Sequence, residues 1–165
     1  MSFNKKLSRV ALPAMAAVAL LAAAQAGVQA AENPHANQGL VFGEPGNEQQ
    51  KSRIVQIGME EGSGEMHFSP AKVEVKKGEQ VKFEITNRGE LPHEFMLNSF
   101  EANRRHKAQM EKYPEMEHDD PNGKTIEPMK SAKLLWRFTK EGTFEFACFI
   151  PGHYEAGMMG VVVVK

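Results

Sequence analysis

The sequence predicts an all-β fold, a sandwich or barrel of short strands with one short helix carried in a long inter-strand insertion. Three observations predict it. Apolar and polar residues alternate in several short runs from Arg53 onward. Glycine-bearing turns separate neighbouring runs, and a single stretch, Phe100 to Tyr113, lacks the β-branched residues that strands favour.

The first thirty residues stand apart from that fold. Lys5, Lys6 and Arg9 form a positive start, Val10 to Ala24 an alanine-rich apolar run, and small residues follow at Ala24, Ala26, Val28 and Ala30. This is the pattern of a secretory signal peptide over residues 1–30, with cleavage after Ala30 or Ala26. The first is preferred because a polar, charged segment starts at Glu32. The apolar run is shorter than the roughly 20 residues that span a bilayer, so the expectation is an exported, soluble protein with no membrane span. Residues 31–50, rich in Asn, Gln, Gly and Pro, read as a loosely held arm. Residues 51–165 then form one domain.

In "QVKFEITN" Val81, Phe83 and Ile85 share one face and Lys82, Glu84 and Thr86 the other, as in a half-buried strand. The same reading covers "RIVQI", "KVEV", "HEFML", "KLLWRF" and "TFEFAC", with turns at Lys77-Gly78 and Glu141-Gly142, and "GVVVVK" is the terminal strand. "FEANRRHKAQMEKY" reads as a helix stopped by Pro114. Residues 115–130, with two prolines, a "DDPNG" turn and no period, read as a long excursion from the sandwich.

Composition narrows the function. Without residues 1–30 the chain keeps 17 basic against 21 acidic residues, a net charge of −4, and so has no basic footprint for nucleic acid. Its one cysteine excludes an internal disulfide framework. A lone thiol in an exported protein is buried and inert, paired with another chain, or held by a metal.

Phase favours the metal. Cys148 is in step with Phe144 and Phe146, and His93 with Phe95 and Leu97, so both side chains point inward. Four residues separate Cys148 from His153, and four more separate His153 from Met158. Calcium and magnesium need oxygen ligands, and zinc gains little from methionine. Two His, one Cys and a distant axial Met are the ligand set of blue-copper electron-transfer sites. The competing readings are a small buried hydrophobe for Cys148, a satisfied core histidine for His93 and a gap-filling core residue for Met158.

"FACFIPGHYEAGM" together with "LPHEFML" resembles the cupredoxins, the group including plastocyanin, azurin and rusticyanin, over about residues 53–165. The resemblance implies a Greek-key β-sandwich and one type 1 copper, with His93, Cys148 and His153 as equatorial ligands and Met158 as the axial one. The four-and-four spacing is similar to the rusticyanin and auracyanin type, and "MHFSPAKVEVKKGEQVKFEITNRGELPHEF" matches the family's lead-in to the first histidine. The leader, the small domain and the methionine content resemble the periplasmic copper-tolerance cupredoxins of the CopI type. Three positions depart from the usual pattern. Glu94 stands where many relatives have an Asn that ties the ligand loops together, Pro92 replaces a glycine, and Met159 directly follows Met158.

Other soft donors raise the question of a weaker second copper site, with His106 and Met110 on one helix face and Met116 and His118 beyond it. Ordinary core and surface placement is the alternative. The acidic run Glu115 to Pro121 reads as a solvated loop. Ile150, Pro151, Gly152 and Tyr154 form a candidate docking surface by the resemblance.

The chain does not read as an enzyme. Ala147 and Phe149 flank Cys148 where multicopper oxidases carry histidines, and Gly152 stands where a binuclear site needs a second cysteine. The expectation is a monomeric periplasmic protein that binds copper ions and serves copper tolerance, with a copper-handling or redox protein as partner. The alternative is a dedicated one-electron carrier.

Overall fold

The structure is a computed structural model that describes residues 40–114 and 120–165. These residues form β1 (Gly43–Pro45), β2 (Arg53–Glu61), β3 (Met66–Ser69), β4 (Lys72–Val75), β5 (Gln80–Asn87), β6 (His93–Asn98), α1 (Phe100–Lys112), β7 (Gly123–Ile126), β8 (Ser131–Phe138), β9 (Gly142–Ala147) and β10 (Met159–Val164). The leader predicted over 1–30 and the start of the arm lie outside the described residues.

The strands pair into two five-stranded sheets, in the orders β1-β8-β5-β2-β3 and β4-β10-β9-β6-β7. β2 runs parallel to β5 and β10 parallel to β4, while the remaining neighbours are antiparallel. The chain changes sheet after β3, β4, β5, β7 and β8, so most spatial neighbours are distant in sequence, as a Greek-key sandwich requires. Each change carries a strand across the core while its alternating apolar face keeps pointing inward.

The core lies between the sheets. Val81, Phe83 and Ile85 are wholly buried, as the alternation in β5 requires. Phe95 stacks on Phe146 at 5.1 Å, and Phe68 meets Phe146 edge-on at 5.2 Å. Cys148 and Met158 belong to this same core.

Strand β6 departs from alternation, because five consecutive residues, His93 to Leu97, are buried. Helix α1 covers its outer face. Ser99 caps that helix, its hydroxyl accepting from the Ala102 N–H at 3.2 Å, and Met110 then packs with Met96, Ala147 and Phe149 in a second apolar cluster. Asn103 anchors the helix by donating to the Glu145 carbonyl at 3.2 Å and carboxylate at 3.1 Å. No helix among the described residues is long and apolar enough to cross a membrane.

Two expectations change. The arm expected to be loosely held over 31–50 is tied to the sandwich at Phe42 and β1. Phe42 is wholly buried and stacks on Trp136 at 5.0 Å, and β1 extends the first sheet beside β8. The excursion expected over 115–130 contains β7, which extends the second sheet beside β6 with His93 opposite Ile126. Both strands have four residues or fewer, too short to show a period. The acidic run, together with Met116 and His118, falls mainly on residues 115–119, outside the described residues.

Candidate metal centre

The second sheet gathers the predicted donors because β6, β9 and β10 are neighbours in it. His93 opens β6, Cys148 directly follows β9, and Met158 directly precedes β10. Ala147 faces both Met96 and Met159 in register, which fixes how the three strand ends meet. His153 comes from the loop between β9 and β10. That loop is wound into turns by His153 N–H donating to the Ile150 carbonyl at 3.0 Å and Met158 N–H to the His153 carbonyl at 3.1 Å. Cys148 N–H closes it on the Met158 carbonyl at 3.1 Å. Gly152 and Gly157 turn through φ of 91° and 102°, which side chains rarely tolerate.

The geometry brings three of the four donors demonstrably into one cluster. The ligand atoms of His93, Cys148 and His153 all lie within 4.8 Å of one another, the only such His, Cys or acidic trio among the described residues. The two Nδ1 atoms are 3.1 Å apart, and the Cys148 sulfur is 3.4 Å from His153 Nδ1. All three side chains are buried. Met158 is wholly buried beside them, whereas Met159 is 37 % exposed on the other face of β10. Burial therefore distinguishes the two adjacent methionines.

The electrostatics describe a thiol that stays neutral until something displaces its proton. Burial pushes the Cys148 thiol up to about 12, against the opposing backbone N–H groups of Glu94 and Ile150 and with the added charge of Glu94. Burial, and then the nearby His93, push the His153 imidazole below its ordinary value, against the pull of Glu61. A dry pocket with one thiol, two imidazoles and a thioether fits copper, since each donor is soft or borderline and a cation supplies the charge that the thiolate needs.

Two carboxylates complete the site. Glu94 was singled out in the sequence as a departure, and it ties the ligand segments together. Its carboxylate accepts from the Phe149 N–H at 3.1 Å and its own N–H donates to the Cys148 sulfur at 3.2 Å. Glu61 carried no sequence signal. It ends β2 in the other sheet, and its Oε1 lies 2.9 Å from His93 Nε2. Partial burial raises its carboxyl, but N–H groups of Leu91 and Glu90, with His93, outweigh this and hold it below the usual range.

Of the residues considered for a second copper site, His106 and Met110 have other structural roles, and Met116 and His118 lie outside the described residues. His106 Nε2 meets the Glu94 carboxylate at 3.0 Å, and its ring packs edge-on against Phe149. Met110 is buried beneath the helix. Of the candidate docking surface, Pro151 and Gly152 are exposed. Tyr154 instead stacks inward on Phe149 and donates its hydroxyl to Glu145 at 3.0 Å.

Comparison with known proteins agrees with this chemistry. Residues 55–165 match the family described as copper binding proteins, plastocyanin/azurin family. The chain is 38 % identical to the copper-resistant cuproprotein CopI of Rubrivivax gelatinosus, covering 96 % of this chain and 99 % of that one. It is 36 % identical to the copper-resistant cuproprotein CopI of Pseudomonas aeruginosa, over 77 % and 84 % of the two. Among solved structures, auracyanin B shares the fold with a TM-score of 0.61 at 18 % identity, over 75 % of this chain and 96 % of that one. The multicopper oxidase mgLAC matches with a TM-score of 0.52 at 19 % identity, over 70 % of this chain but 39 % of the oxidase.

Proposed function

The chain belongs to the plastocyanin/azurin family of copper-binding proteins, and from that premise we propose that it is an exported, mononuclear type 1 copper protein serving copper tolerance in the periplasm. The observation that carries this reading is the burial of His93, Cys148 and His153 in one cluster at the end of the sandwich.

In this reading His93 Nδ1, the Cys148 sulfur and His153 Nδ1 would be the strong donors to copper and Met158 the weak one. Copper bound there supplies one-electron exchange between Cu(I) and Cu(II). The chain's own part is to hold the donors still. His93 and Cys148 sit at the ends of paired strands, so neither can move without breaking sheet hydrogen bonds. Burial of Cys148 keeps water and competing oxygen ligands from the sulfur, and Glu94 N–H supports its charge once the proton has left.

Copper tolerance is supported by the two CopI relatives, whose names describe copper-resistant cuproproteins. Export is supported by the leader pattern over residues 1–30. A non-enzymatic role is supported by Ala147 and Phe149, which leave no histidine beside Cys148 for a further copper cluster.

The test is the visible spectrum of the mature protein loaded with Cu(II), beside Cys148→Ser. Intense thiolate-to-copper bands in the wild type, lost in the variant, are expected. A colourless wild type that keeps its fold would sink the assignment. Deleting the gene should make cells copper-sensitive, whereas normal tolerance with impaired electron transfer would move the reading to a dedicated carrier.

A further inference from the structure

His93 and Glu61 come from different sheets and meet where β2 ends and β6 begins. The chain between β5 and β6 is built around the Glu61 carboxylate. Its Oε1 accepts from the Leu91 N–H at 2.9 Å and lies 2.9 Å from His93 Nε2. Asn87 holds the same loop from within, donating to the carbonyls of Leu91 at 2.8 Å and Ile126 at 2.9 Å and accepting from the Gly89 N–H at 2.9 Å. A Cβ at Gly89 would overlap the Glu61 carboxylate, so the bare backbone leaves room for it. Among the described residues the ion-pair partner of Glu61 is His93.

Resting on the reading of His93 as a copper ligand, we propose that Glu61 is a positioning residue for the metal centre: it holds the proton of His93 on Nε2, presents Nδ1 to copper, and by its charge favours Cu(II) over Cu(I). A carboxylate on the far nitrogen raises the basicity of a ligating imidazole. The more highly charged ion gains more from a nearby anion, so the effect on the two oxidation states is unequal. A mere loop staple would need the Leu91 contact alone and would not move the potential.

The experiment is a redox titration of copper-loaded wild type, Glu61→Gln, Glu61→Asp and Glu60→Gln. The glutamine keeps an oxygen to accept from Leu91 and His93 but removes the charge. Glu60, one residue away, pairs with Arg88 and controls for charge alone. Glu61→Gln is expected to shift the Cu(I) to Cu(II) ratio about tenfold toward Cu(I) at a fixed ambient potential, about 59 mV for a one-electron couple. Glu61→Asp should restore most of the shift and Glu60→Gln should produce little.

Equal potentials in Glu61→Gln and Glu60→Gln, with thiolate bands intact in both, would overturn the role of Glu61 and leave the copper site standing. A wild type without thiolate bands would overturn the copper site and this role together. Should Glu61→Gln fail to fold, the wild type still decides. In its diamagnetic Cu(I) form the Nε2 proton of His93 should resonate downfield and exchange slowly with solvent, and exchange as fast as that of His153 would refute the contact.

Discussion

Glu94 donates its backbone N–H to the sulfur of Cys148, 3.2 Å away, while its carboxylate accepts from the next residue, Phe149, at 3.1 Å. One residue thus bonds to the ligand strand through both its main chain and its side chain. The carboxylate is almost fully buried and also meets His106. Removing it leaves the Phe149 N–H without this acceptor in a dry place and takes one partner from the His106 imidazole. Glu94→Ala should therefore lose about 1–3 kcal/mol of stability in the metal-free protein, the cost of unsatisfied buried donors. Glu94→Gln keeps the acceptor for Phe149 and should recover much of it, and chemical denaturation of both variants checks the order.

The two adjacent methionines should behave differently. Met158 is wholly buried in the core that contains Cys148, whereas Met159 is partly exposed. Replacing Met158 by Leu preserves volume and removes the thioether, so the reduction potential of the copper protein should rise because Cu(II) loses more donor strength than Cu(I). Met159→Leu should leave it unchanged. Voltammetry on the pair distinguishes them, and the reverse pattern would transfer the axial role to Met159.

Copper uptake should release the Cys148 proton. Burial raises this thiol from an ordinary 9.0 to about 12 in the metal-free fold, so at neutral pH it is protonated while the metal requires the thiolate. From this group alone, apparent affinity should rise about tenfold per pH unit below that value. The sign for folding is opposite in sense. A raised thiol contributes stability that is fully present below the unfolded value and is lost as pH rises toward about 12. Cys148→Ala should release one proton fewer on metal addition, measured by pH-stat titration, and should flatten the alkaline loss.

Phe42 tests whether residues 40–45 belong to the fold. Its ring lies 5.0 Å from both Trp136 and Phe144, joining the two sheets at the edge where β1 pairs with β8. Phe42→Ala should cost about 3–5 kcal/mol, the range for removing a buried aromatic ring. Thermal denaturation of the metal-free variant reads this directly, and a change below 1 kcal/mol would mean that the segment is dispensable.

Most of the sandwich was legible because strand alternation is a local property. Val81, Phe83 and Ile85 announce their shared face within one strand, and the structure buries all three. The helix was legible for the same reason, with Phe100 as its first residue and Pro114 just beyond its end. The strands β1 and β7 were not. Each is short and is held by hydrogen bonds to a partner strand, and those bonds involve the backbone, which every sequence shares.

The sequence by itself determined the donors and much of their placement: the phase of His93 and Cys148 toward the core, and the two four-residue intervals that set His153 and Met158 on one loop. Those features depend only on strand period and chain length. The tertiary structure alone decided what surrounds the donors. It set Glu61 of one sheet against His93 of the other, turned Glu94 onto Phe149, and covered β6 with Met110 of α1. Such contacts join residues that are far from neighbours in the chain. They arise from the packing of two sheets and a helix, which no local pattern of residues encodes.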